Sequence, residues 1–176
     1  MTNKNALKVT QVWETENKIL EPNNRKELLL DIVDQVASLF AAGPFYYYVI
    51  NFENLKMDYV YEGITDVLGI KPKDFTVNKI FKIMHPDDLA CMHKKESLAT
   101  NFLFNEISTD KMSQYKVVYL MRLKHTNGNY KTILHQTKVI NTSKDGKAQQ
   151  VLGIHTDVTH LNIPFDNKVS FISQKH

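Results

Sequence analysis

The sequence predicts an α+β domain, a five-stranded antiparallel sheet with helices on one face, preceded by an N-terminal helical segment. Three observations predict it. The first 43 residues carry apolar side chains at helical spacing, two groups of strand-like segments lie at 45–61 and 114–158, and the stretch between them is broken into helical pieces. Strands grouped around a block of helices, with no strand–helix alternation, give a sheet covered on one side.

In the first 43 residues Val9, Val12, Trp13, Ile19 and Leu20 share one helical face, and Pro22-Asn23-Asn24 interrupts it. A second helix begins with Asn24 and Glu27 at capping-box spacing and ends at Gly43-Pro44. Its apolar stripe (Leu28 or Leu29, Ile32 or Val33, Val36, Leu39, Phe40) serves core packing or a dimer seam equally well. Phe45 to Ile50 is aromatic and β-branched, which reads as a strand buried on both faces, and Met57 to Tyr61 alternates as a second strand. Three brief helical segments follow: 63–70, 71–76 and 77–84. His85-Pro86-Asp87-Asp88 then opens a longer helix, with proline at its first position and two acids at the positive end of the dipole. That helix is expected to reach about Ile107, with Leu89, Met92, Ala99 and Leu103 inward. Residues 114–125, 130–141 and 149–158 form three strands, joined at Asn127-Gly128 and Asp145-Gly146.

Composition excludes several classes. The 176 residues are 43% hydrophobic and 23% charged, which fits a folded domain with its own core. No apolar run approaches the roughly 20 residues of a membrane span, and the polar start Met1-Thr2-Asn3-Lys4-Asn5 is unlike a signal peptide. A cytoplasmic location is expected. The net charge of +3 is spread thinly, so this segment is not expected to contact DNA. The single cysteine, Cys91, excludes an internal disulfide. A packed small residue is a better reading of it than a reactive thiol, because no cation cluster adjoins it.

Four motifs carry a resemblance over about 115 residues. They are Gly63-Ile64-Thr65-Asp66-Val67-Leu68-Gly69, the His85-Pro86-Asp87-Asp88 helix start, Asn127-Gly128-Asn129-Tyr130, and Gly153-Ile154-His155-Thr156-Asp157-Val158-Thr159. In this order they resemble the PAS superfamily; the last is similar to its Gly-x-x-x-Asp-Ile-Thr ending. Thr132 stands where many relatives carry Trp. The helical lead-in and the tail also look like the N-terminal part of bacterial LuxR-type transcription regulators. The resemblance implies a helical arm at 1–43, whose apolar stripe offers a homodimer seam, a PAS sensor domain at 44–160, and a linker at 161–176 toward a helix-turn-helix output domain outside this chain. It implies signal input, by small-molecule binding or through the flanking helices, and no catalysis. A ligand-free dimerisation module is the alternative.

Alternation places the candidate pocket. If Lys116, Arg122 and Lys124 face solvent, Tyr119, Met121 and Leu123 face inward. On the next strand Ile133, His135 and Val139 face in, which requires an odd number of loop residues at Asn127-Gly128. His155 matches the place where light-sensing LOV relatives put a flavin-contacting glutamine, and strand counting sets it close to His135. The expected ligand-binding pocket is therefore Tyr119, Met121, Ile133, His135 and His155. The two histidines are either a satisfied core pair or the polar anchors of a ligand. No third or fourth ligand accompanies them, so no metal is expected. The ligand's identity is open. Haem would need His93 or His85, and His93 lies in the charged stretch His93-Lys94-Lys95-Glu96. LOV-type flavin chemistry is excluded, because Asn78-Lys79-Ile80-Phe81-Lys82-Ile83 lacks its cysteine. A small enzyme using His85 and Asp87 is the remote rival, without a nucleophile or oxyanion donors.

Overall fold

The computed structural model describes residues 38–144 and 146–173. The helices expected over the first 37 residues, and with them most of the dimerising arm at 24–42, lie outside the described residues. The order from Phe45 is β1 (Phe45–Asn51), β2 (Lys56–Val60), α1 (Ile64–Leu68), a 3-10 turn (Pro72–Asp74), α2 (Val77–Ile83) and α3 (Pro86–Asn101). A π-helical turn (Phe102–Glu106) and α4 (Thr109–Met112) lead to β3 (Tyr115–Lys124), β4 (Tyr130–Thr142), β5 (Ala148–Asp157) and β6 (Ser170–Ser173). All strand pairs are antiparallel, and the spatial order is β2-β1-β5-β4-β3-β6.

The sheet has six strands where sequence patterning predicts five. After the 3-10 turn Thr159–Leu161 the chain returns, and Ser170–Ser173 pairs with Tyr115–Val118 of β3. A four-residue strand is too short to show period-2 patterning, so its signal lies in tertiary contacts. Phe171 stacks on Phe102 at 4.1 Å, and Phe165 lies against the Arg122 guanidinium and the Lys95 ammonium, at 4.5 and 5.3 Å.

β1 alternates and is not buried on both faces. Tyr46 and Tyr48 are buried, whereas Tyr47 turns the other way and stacks on Tyr61 and Tyr59 at 4.8 and 5.7 Å. The helices among the described residues cover the other face, and on this one the aromatics cover one another. Between β3 and β4 the loop 125–129 holds five residues and pairs Lys124 with Tyr130. That odd number keeps Tyr119, Met121, Ile133 and His135 on one face.

The short helices are held by their ends. Thr76 Oγ1 accepts from the Lys79 N–H at 3.1 Å, and the His85 ring accepts from the Asp87 N–H at 3.3 Å. Gly69 closes α1 in the left-handed region (φ 72°), and a Cβ there would meet Thr126 Oγ1 at 2.0 Å. α3 stops at Asn101, six residues before the expected Ile107, because its last turns widen into the π-helical segment. Asn101 fastens that segment by accepting from Asn105 and donating to Glu106, each at 2.8 Å. The inward stripe of α3 also differs. Asp88, Met92, Lys95 and Ala99 are buried, at helical spacing, while Leu89 is exposed. Two charged residues occupy places that an apolar pattern cannot reveal.

Candidate functional site

Between the sheet and α2–α3 lies a cavity of about 380 Å³. Its wall is largely apolar, with Ile50, Met57, Ile80, Met92, Val117 and Val151 among the lining side chains. Phe52, Leu55, Phe81 and Phe104 both line it and remain exposed, so they form an apolar mouth. Glu96 and Lys138, of opposite charge, are the charged residues of the wall.

The deep end is polar. His135 and His155 are cross-strand partners on β4 and β5, and His155 Nε2 lies 2.7 Å from His135 Nδ1. The other ring nitrogen of His155 lies 2.5 Å from the Tyr46 hydroxyl, and Tyr48 Oη is 3.3 Å from Nε2. Gly153 makes this possible. It pairs with Tyr48 across the strands, and a Cβ at 153 would come within 2.3 Å of the tyrosine ring. On the other side Tyr119 stacks on His135 (4.3 Å) and donates to Glu96 at 2.7 Å.

Burial fixes the charge states. Desolvation, aided by the nearby Lys95 ammonium, lowers His135 to a pKa of about 3. Desolvation, then His135, lowers His155 well below the ordinary histidine range. Burial raises Tyr46, Tyr48 and Tyr119. His135, His155 and the three tyrosines are therefore neutral at physiological pH, hydrogen-bonding groups with no charge of their own.

Four of the five expected pocket residues meet at this cavity: Tyr119, Met121, His135 and His155. Ile133 does not line it. It pairs with Met121 and Asp157, and packs in the solid core cluster with Tyr46, Leu68 and Leu123. Alternation gives the correct face for Ile133 but not how far along the strand the space is filled. Tyr46, Tyr48 and Glu96 were missed. Within the apolar run 45–50, tyrosines two residues apart were the available signal.

Charged groups outside the cavity correct two further expectations. Arg122 does not stand free in solvent: its backbone N–H donates to Asp88 at 2.6 Å and its guanidinium binds the same carboxylate. This contact supports Arg122's positive charge, raising its pKa. Lys95, in the stretch read as solvated, is buried and donates to the Leu120 carbonyl at 2.9 Å, with its ammonium 5.2 Å from the Tyr119 ring. Burial lowers its pKa, against the pull of Asp88. His93 is exposed, and His85 serves as the α3 cap beside the exposed Asp87. Neither histidine lines the cavity. Among the described residues no group of three or more His, Cys, Asp or Glu could hold a metal.

The family model for the PAS fold matches residues 57–155, more than half of the chain. The chain belongs to the PAS family. No curated protein matches this PAS chain in sequence. Among solved structures it is similar to the N-terminal domain of a diguanylate cyclase with PAS/PAC sensor from Marinobacter aquaeolei, at 17% identity and a TM-score of 0.54, covering 68% of this chain and 99% of that one. A sensory box histidine kinase/response regulator from Burkholderia thailandensis matches at 15% identity and TM-score 0.52, over 73% and 86%. The PAS domain of a Colwellia psychrerythraea protein matches at 18% identity and TM-score 0.50, over 74% and 99%. At these identities the likeness speaks for the PAS fold alone. Among the described residues no helix is long and apolar enough to cross a membrane.

Proposed function

We propose that this PAS domain is a sensor that holds a small molecule between its sheet and helices. We propose further that it is the signal-input part of a bacterial transcription regulator, with the response passing through its flanking segments. The cavity carries the ligand reading: about 380 Å³ of space, walled by apolar side chains and ending in a neutral histidine pair. A pocket of this volume suits a small organic molecule, and a few placed polar groups suffice to orient it. The regulator half rests on the LuxR-like order of helical lead-in, sensor and tail. A sensory role needs no nucleophile, and the buried tyrosines and histidines are poised to hydrogen-bond rather than to exchange protons at neutral pH.

Native mass spectrometry of the purified chain tests the ligand reading. A co-purified molecule of a few hundred daltons, released when His135 and His155 are both changed to Phe, is the expected result. A protein that runs at its bare mass and takes up no small apolar probe overturns it. A second reading, a ligand-free interaction module, is favoured by Leu39 and Phe40, which are 83% and 87% exposed. Under that reading the same spectra show a dimer and no small molecule.

A further inference from the structure

Resting on the ligand reading above, the direction of the protons along Tyr46–His155–His135 decides what the cavity accepts. Tyr46 is fully buried, and among the described residues His155 Nδ1 is the partner of its hydroxyl. If His155 carried its hydrogen on Nδ1, the tyrosine would accept that bond, and its own O–H would be left buried without an acceptor. A buried donor without an acceptor is costly, whereas in the opposite direction the hydroxyl left without a protein acceptor is that of Tyr48, which borders the cavity as Tyr46 does not. So Tyr46 donates to Nδ1. A neutral His155 must then carry its hydrogen on Nε2, and that N–H donates to His135 Nδ1 at 2.7 Å. Tyr48 Oη, at 3.3 Å, takes the minor branch of the same N–H. A neutral His135 that accepts on Nδ1 carries its own hydrogen on Nε2.

His135 Nε2 has no partner among the described residues, yet no buried side-chain nitrogen or oxygen among them is unsatisfied. Nε2 therefore reaches open space, and the space that His135 borders is the cavity. We infer that Tyr46, His155 and His135 form a one-directional relay ending in a donor, His135 Nε2–H, which selects a neutral, largely apolar ligand bearing an acceptor such as a carbonyl oxygen. The wall is otherwise largely apolar, which favours a neutral ligand over one whose charge must be desolvated. The apolar mouth of Phe52, Leu55, Phe81 and Phe104 suits the remainder of such a molecule.

Two experiments on the full chain test this. Long-range proton–nitrogen spectra of protein carrying nitrogen-15 histidine read the tautomers without any substitution. Both buried rings are expected as the Nε2–H form; a His155 protonated on Nδ1 overturns the relay. The second experiment compares two probes of one shape, 2-acetylnaphthalene and 2-isopropenylnaphthalene, in which a methylene replaces the carbonyl oxygen. The ketone should bind about three- to tenfold more tightly, the worth of one net hydrogen bond. His135→Phe should remove that preference. Equal binding of both probes to the unaltered protein overturns the donor while leaving the cavity reading intact. Binding of neither overturns the cavity reading as well, and the nitrogen spectra then still judge the relay by themselves.

Discussion

Protonating either buried histidine would put a positive charge on a ring to which no carboxylate among the described residues hydrogen-bonds, and this links stability to pH. His135 is lowered to about 3 and His155 is lowered well below the usual value, in both cases chiefly by burial. Between the unfolded value near 6.5 and the lowered folded value, the unfolded chain binds more protons than the folded one. Stability is therefore complete above about pH 6.5 and is lost as pH falls toward 3, by at most about 1.4 kcal/mol per pH unit for each ring. Urea midpoints taken at pH 7, 5.5 and 4.5 should decline accordingly, and the double change His135→Phe with His155→Phe should flatten the decline. A slope unchanged by the double substitution would assign it to other groups. A second residue carries a different load: Asp88 is buried and accepts from both the backbone and the side chain of Arg122. Asp88→Ala strands that N–H and should cost about 2–4 kcal/mol, read as a lower urea midpoint at unchanged m-value. The histidine pair was legible in sequence because counting back from the Asp145-Gly146 turn sets His155 close to His135 on the neighbouring strand. Its tyrosine partners were not, since bringing β1 beside β5 is a long-range pairing of residues more than 100 apart.

At the scale of elements, legibility followed the regularity of the pattern. β3, β4 and β5 alternate over ten or more residues each and lie where the sequence puts them. α3 was placed, and Met92 and Ala99 lie inward as expected, but Asp88 and Lys95 also sit inside the stripe and Leu89 outside it. Burial of a charge is decided by the partner it meets, here Arg122 and the Leu120 carbonyl, and no local pattern announces that partner. The pairing of β1 with β5 makes its own prediction. Tyr48 can lie across β5 because position 153 has no side chain. Gly153→Ala forces the ring aside, so stability should fall by about 1–3 kcal/mol as in overpacked cores. The ring current that Tyr48 casts on His155 (centroids 5.1 Å apart) should change with it. An alanine variant with the parent's melting temperature and unshifted His155 resonances would show that the close approach is not needed.

For the whole molecule, the N-terminal arm is the proposed dimer seam, motivated by the wide apolar stripe of residues 24–42 and by the exposure of Leu39 and Phe40. Sedimentation of the intact chain should give a dimer, and of a chain beginning at Gly43 a monomer; a truncated chain that stays dimeric places the seam elsewhere. The far end of the sheet has a consequence for how the protein is handled. β6 occupies the hydrogen-bonding edge of β3 along Tyr115–Val118, a stretch with high strand propensity. A chain ending at Leu161 keeps every motif of the family ending but uncovers that row of N–H and C=O groups. Bare edges of this kind recruit strands from neighbouring molecules. Such a shortened protein should scatter light increasingly with concentration, while the chain that retains Ser170–Ser173 stays clear, so β6 acts as a guard against self-templated aggregation.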